Sequence, residues 1–207
     1  MLHYETIHPA TLELLKNMSS RKELQGMRLV GGTSLALQYG HRKSVDLDFF
    51  GKMSASQDEI IEMARNLGDL KIFNKTKLIL QFVLNNVRID VVDYGNYAWI
   101  DEPVIENGII LASAKDIAAL KINAIEGRGT KKDFVDISEL LKHFKFSEIL
   151  DFYMQKYPDY SLFQALLSLT YFEDAESQAM PVMLISDTWE EIKEKIREEV
   201  KEYQRDN

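Results

Sequence analysis

The pattern of hydrophobic and polar positions along this chain changes character near residue 112. Up to it, short runs of period two are interspersed with three helical stretches. Beyond it the spacing is close to 3.6. The segments "MRLV" (27–30), "SVDLDFF" (44–50), "LKIFNKT", "KLILQFVL" and "VRIDVVDY" read as strands, and Asn85-Asn86 between the last two is a hairpin turn. Residues 9–24 read as a helix with Pro9 in its first turn and a stripe of Leu12, Leu15 and Met18. "TSLALQYG" reads as a short helix closed by Gly40, and residues 56–67 as another ending at Gly68. Past residue 112, "SAKDIAALKINAIEGRG" is a helix with Ser113 as N-cap, stopping around Gly127, and "TKKDFVDISELLKHF" follows as the next. The remainder is helical, with breaks near Pro158 and Pro181. In its last segment Trp189, Ile192, Ile196, Val200 and Tyr203 share one face. Strands first and helices afterwards predict an α+β fold, a mixed sheet flanked by helices over 1–112 with a helical C-terminal region over 113–207.

Composition narrows the class. At 207 residues, 45% hydrophobic and 28% charged, the chain has ample material for a core. Without cysteine it holds neither disulfides nor thiolate metal sites. No apolar run is long enough to cross a bilayer, and "MLHYETIHPATLELLKNMSS" lacks the basic and apolar regions of a signal peptide, so a cytoplasmic location with no membrane partner is expected. A net charge of −8 argues against generic nucleic-acid binding while leaving room for a local basic patch.

The candidate chemistry lies in the acids. Val45, Leu47 and Phe49 alternate with Asp46 and Asp48, so a strand would point both carboxylates one way, where a divalent cation would relieve their repulsion. Asp90 interrupts an apolar strand, sharing a face with Arg88 and Val92. A buried carboxylate there needs a partner, which could be Arg88 or a shared metal, and Asp90 could also cap a hairpin. Three converging carboxylates can hold two Mg²⁺ ions and align an oxygen against phosphorus. Gly31-Gly32-Thr33, between a strand and a helix, lets backbone N–H groups approach a phosphate, and Arg42 can pair with a phosphate oxygen. Lys121 falls in the apolar stripe between Ile117 and Ile125, and Asp133 shares a face with Ile137, Leu140 and Phe144. Inward-facing charges of this kind must be paired or used. Plainer roles exist too: Lys121 could extend its ammonium to solvent, and Thr130 with Asp133 approximates a capping box. The four histidines have no metal-binding spacing.

Gly32-Thr33, twelve residues, then Asp46-x-Asp48, with Asp90 on a later strand, resembles the DNA polymerase β-type nucleotidyltransferase superfamily. More narrowly, "GGTSLALQYGHRKSVDLDFF" followed by "ALKINAIEGRGTKKDFVDI" is similar to the AbiEii/AbiGii toxin family, over residues 28–140. The resemblance implies a minimal nucleotidyltransferase fold, with NTP and Mg²⁺ as ligands. It further implies transfer of a nucleotide to an RNA such as tRNA, by the toxin of a toxin–antitoxin pair held in check by a cognate antitoxin. By position it makes Asp46, Asp48 and Asp90 metal ligands, with Asp90 also the base. Gly32, Thr33 and Arg42 then contact the nucleotide. Lys121 and Asp133 are the lysine and acid of the second block, and Asp136 fits the acid's place equally well. Two other readings are a nucleotidyltransferase fold that binds without turnover and an enzyme modifying a small molecule. The intact set of acids speaks against the first. A basic surface built from "HRK", Lys71, Lys75, Lys77 and "RGTKK" would speak for RNA over the second.

Overall fold

The computed structural model describes residues 1–206; Asn207, the end of the expected C-terminal region, lies outside them. The chain forms two compact units. The first comprises residues 1–40, 44–98 and 102–112, and the second residues 41–43, 99–101 and 113–207.

The first unit is built on a seven-stranded mixed sheet. Its strands are β1 (Met27–Val30), β2 (Leu47–Gly51), β3 (Leu70–Lys75), β4 (Ile79–Leu84), β5 (Val87–Asp93), β6 (Val104–Glu106) and β7 (Ile109–Leu111), in the order β3-β4-β5-β2-β1-β7-β6. β2 runs parallel to β5 and antiparallel to β1, while β1 runs parallel to β7. Period-two alternation decides what is buried: Leu80, Phe82 and Leu84 of β4 and Ile89 and Val91 of β5 are sealed off, and the residues between them are not. These side chains form one core with Leu14, Leu15 and Met18 of helix α1 (Pro9–Ser19) and Ile60, Ile61 and Ala64 of α3 (Gln57–Arg65). Helix α2 (Gly31–Tyr39) leaves β1 directly, and Gly40 ends it with a left-handed φ of 72°. Asn85 and Asn86 both take positive φ, the type I′ geometry expected of that hairpin.

Several elements differ from the sequence reading. The first helix ends at Ser19, because the Ser20 hydroxyl and the Asn17 amide hydrogen-bond backbone carbonyls of the last turns and compete with the helix; residues 22–24 form a separate 3₁₀ turn. The strand expected over 44–50 starts only at Leu47. Ser44 N–H donates to the Thr6 carbonyl, the Asp46 carbonyl accepts from the Thr33 hydroxyl, and Val45 is 65% exposed rather than on the core face. The β6–β7 hairpin is an addition; its sequence signal is Asn107-Gly108, both at positive φ, between two short β-branched runs.

The second unit is helical: α4 (Ala114–Gly127), α5 (Lys131–Leu140), α6 (Phe146–Lys156), α7 (Leu162–Thr170), α8 (Glu173–Glu176) and α9 (Trp189–Asp206). Ser113 caps α4 by accepting from Asp116 N–H at 3.1 Å. α4 packs on α5, α6 and α7, and α9 on the same three. Ile192, Ile196 and Val200 of α9 are buried, and the Trp189 ring meets Phe134 and Phe172. Asp116 explains why residues 99–101 belong here. Its carboxylate accepts from Ile100 N–H at 2.9 Å, from Asp101 N–H at 3.3 Å, and from the buried Lys156 ammonium at 2.8 Å. Among the described residues, no helix is long and apolar enough to cross a membrane.

Candidate active site

In the first unit the parallel pairing of β2 with β5 puts Asp48 directly opposite Asp90. Register partners share a face, and neighbouring strands lie about 5 Å apart, so both carboxylates stand side by side on the half-buried face of the sheet. Asp90 is held from two directions. Gln81 Nε2 donates to its Oδ2 at 2.5 Å, and Arg88 Nε to its Oδ1 at 3.2 Å. Gln81 is itself fixed by Asn74, whose amide donates to Gln81 Oε1 at 2.8 Å. That bond sets which end of the Gln81 amide faces Asp90. A polar row Asn74–Gln81–Asp90–Asp48 thus crosses four strands. Sequence reasoning missed Asn74 and Gln81; the only signal was their place on the polar parity of strands next to Asp90.

The glycine turn makes room for this row. Gly31 has φ of 68°, and a Cβ there would collide with the Asp48 carboxylate. Asp48 therefore lies against the backbone where α2 begins, an end that favours negative charge. The close approach that Gly31 permits is made, in this structure, by Asp48. Gly32 continues the first turn of α2. Thr33 is buried; its hydroxyl donates to the Asp46 carbonyl and shares a hydrogen bond with Ser44 Oγ at 2.8 Å. Thr33 thus positions the segment leading into Asp48, and Asp46 lies just before β2 begins.

The donor set suits a hard divalent cation, since two carboxylates on adjacent strands supply anionic oxygens. The third expected carboxylate, Asp46, lies just before β2, and among the described residues no three His, Cys, Asp or Glu side chains are grouped to hold an ion. Asp90 accepts one hydrogen bond at each oxygen, from Gln81 and Arg88, which leaves a lone pair on each oxygen for a metal.

The remaining candidates lie in the second unit and form a buried ion cluster. The Arg42 guanidinium donates through Nε and Nη2 to the two oxygens of Asp136, at 2.7 and 2.8 Å. His41 Nε2 donates to Asp136 Oδ1 at 2.8 Å, and its buried Nδ1 has no hydrogen-bond partner among the described residues. Lys121 Nζ meets Asp136 Oδ2 at 2.5 Å and Asp133 Oδ1 at 2.9 Å. Asp133 also accepts from Arg128 Nε at 3.1 Å and from the Thr130 hydroxyl, which thereby binds a side chain rather than capping the helix backbone. Burial by itself would push the Asp136 carboxyl up, but the Arg42 and Lys121 charges outweigh it and hold it well below the usual carboxylate range. For Asp133 burial is likewise outweighed, by Lys121, Arg128 and Thr130, and the carboxyl is lowered to about 2. The Lys121 ammonium, despite burial that opposes its charge, is raised by Asp136 and Asp133. Lys121 points inward, as its place in the apolar stripe requires, and its anions are both acids of α5. Arg42 is likewise engaged with Asp136, a pairing the sequence reading did not anticipate.

This sheet and its helices are the fold of a nucleotidyltransferase. The chain is similar to the crystal structure of a "putative nucleotidyltransferase" from H. pylori, with a TM-score of 0.54 and 20% identity, covering 97% of this chain and 99% of that one. It is also 34% identical over 197 residues to an uncharacterized protein of Aquifex aeolicus (strain VF5), covering 92% of this chain and 94% of the relative. Residues 13–206 match the family model described as "Nucleotidyl transferase AbiEii toxin, Type IV TA system". The chain belongs to this AbiEii family: it is a nucleotidyltransferase of a type IV toxin–antitoxin system, and the family implies a cognate antitoxin. The match extends well beyond residue 140, to which the sequence resemblance was traced.

Proposed function

We propose that the protein transfers a nucleotide from an NTP to a hydroxyl of an RNA acceptor such as tRNA, in a reaction that needs Mg²⁺. The observation that carries the reading is the register pairing of Asp48 with Asp90, next to a glycine turn that only a residue without a side chain can make. Mg²⁺, when bound by Asp48 and Asp90 with Asp46, would neutralise charge on the phosphates. The protein's own residues do the rest. Gln81, aimed by Asn74, holds the Asp90 carboxylate in one orientation, so that it is placed to accept the proton of the attacking hydroxyl. Arg88 donates through Nε to the other oxygen of Asp90 and so holds the carboxylate from a second side. Thr33 holds the Asp46 backbone in place, and Gly32 presents the start of α2 to the nucleotide. A direct contact of Arg42 or Lys121 with the nucleotide remains an expectation of the resemblance, because both side chains neutralise acids within the second unit.

The test is incubation of the protein with each labelled NTP, total RNA and Mg²⁺, with EDTA and Asp90→Asn as controls. Label should enter RNA from one preferred NTP, be abolished by EDTA, and fall by about 10²–10⁴-fold in Asp90→Asn. Label in a small molecule instead of RNA would move the acceptor class. Undiminished transfer in EDTA would remove the metal.

A further inference from the structure

The face of the sheet that carries Asp48 and Asp90 continues past them into an exposed aromatic and cationic surface. Phe73 sits at a register irregularity in edge strand β3, between Ile72 and Asn74, and is 48% exposed. The Arg88 guanidinium lies over its ring at 5.0 Å, and the Arg88 side chain is itself 51% exposed. Register places Lys71, Val83 and Arg88 in one row, immediately beside the row Asn74–Gln81–Asp90–Asp48. Arg88 therefore touches both the exposed ring and the carboxylate.

Charge singles out the same surface. Residues 70–89 contain Lys71, Lys75, Lys77 and Arg88 and no Asp or Glu, in a chain whose net charge is −8. Lys75 is paired with Asp58 at 2.6 Å, but among the described residues Lys71 and Lys77 enter no ion pair. An exposed ring on a sheet face, with Arg88 over it and lysines nearby in the strand and its turn, offers what single-stranded nucleic acid requires: a plane on which a base stacks and positive charge that follows the phosphates. The exposed apolar side chains here, Ile72, Phe73 and Leu78, are interspersed with Lys71 and Lys77, which favours an anionic partner with a stacking plane over a purely apolar one.

We propose that Phe73, Arg88, Lys71 and Lys77 form the platform on which a single-stranded stretch of the acceptor RNA docks, a base stacking on Phe73 with the backbone along the lysines. This rests on the RNA-acceptor reading above and deepens it. Arg88, shared between Phe73 and Asp90, couples the docked strand to the base that receives the hydroxyl proton.

The test uses the full chain and a fluorescein-labelled oligouridylate of about twelve nucleotides, read by anisotropy across a salt series. Phe73→Ala should weaken binding by about tenfold and Phe73→Trp should restore it, since stacking needs only a ring. Lys71→Ala with Lys77→Ala should weaken it further and flatten the slope of log affinity against log salt by roughly 0.7 for each lysine removed. Melting curves should stay close to the parent, because all three side chains are exposed. Parent-like affinity in both Phe73→Ala and the double-lysine variant overturns the platform, as does a parent that does not bind the oligonucleotide. So does unchanged RNA affinity accompanied by lost self-association in sedimentation, which would assign the face to protein. Transfer is read separately. A parent that binds RNA through Phe73 yet labels no RNA defeats the transfer reading and leaves the platform standing. Labelling of RNA with an unaltered RNA KM in Phe73→Ala defeats the platform alone.

Discussion

Asp48 and Gly31 are tied by one contact, and substitutions at the two should behave in opposite ways. Asp48→Asn keeps the shape and removes one of two charges standing side by side, so repulsion falls while a metal-binding oxygen is lost. Its melting temperature should match or exceed that of the parent while RNA labelling disappears. Parallel loss of both would make Asp48 a structural residue. Gly31→Ala should lose both. A side chain at φ 68° is strained, and its Cβ displaces the Asp48 carboxylate. The stability cost should be about 1–3 kcal/mol, read from the urea midpoint. A Gly31→Ala protein with parental stability would show that α2 can rotate away from the sheet. Gln81→Ala should slow transfer with little change in melting, because Asp90 keeps Arg88 but loses the orientation that Asn74 and Gln81 impose.

Helices α4 and α5 are held together by charge in their interior. Lys121 from α4 meets Asp133 and Asp136 from α5, and Arg42 and His41 close the far side of Asp136. Such a cluster is expensive to leave half-made. Asp136→Asn should destabilise the protein by about 3–5 kcal/mol, because it strands the Arg42 and Lys121 charges in the core. Calorimetry should show this as a fall in melting temperature, and a change smaller than that of a surface substitution would mean that water reaches the cluster. Lys121→Arg is the informative partner. It keeps the charge but changes the geometry, so titration with NTP and Mg²⁺ separates a lysine that only neutralises α5 from one that also binds phosphate. Parental NTP affinity in a folded Lys121→Arg protein assigns the lysine to the clamp.

For the whole molecule, the same cluster sets the response to acid. Asp133 titrates at about 2 in the folded protein and near 3.8 when free, and Asp136 is lowered in the same direction. Carboxyls lowered by folding stabilise it fully above the unfolded value, and this contribution fades as pH falls from about 4 through 2. Asp133 alone accounts for about 2 kcal/mol of that loss, since a tenfold difference in proton affinity between the folded and unfolded chain corresponds to about 1.4 kcal/mol. Urea midpoints should be flat above pH 5 and drop steeply between pH 4 and 2. Asp133→Asn should show a shallower acid limb from a lower starting stability.

Local pattern was enough for much of this protein. The period-two runs of β4 and β5, the Asn85-Asn86 turn, Gly40 and Ser113 each act within a few residues, so backbone preference and amphipathic spacing specify them with no long-range information. Spacing also placed Asp48 and Asp90 on polar strand parities and turned Lys121 inward. Registers and partners came only with the tertiary structure. Nothing local says that β2 lies beside β5 with Asp48 opposite Asp90, that Gln81 holds Asp90, or that Arg42 turns to Asp136, 94 residues away in the chain. A buried charge takes whichever counter-charge the packing brings within about 3 Å, and that choice belongs to the folded chain, not to any segment of it.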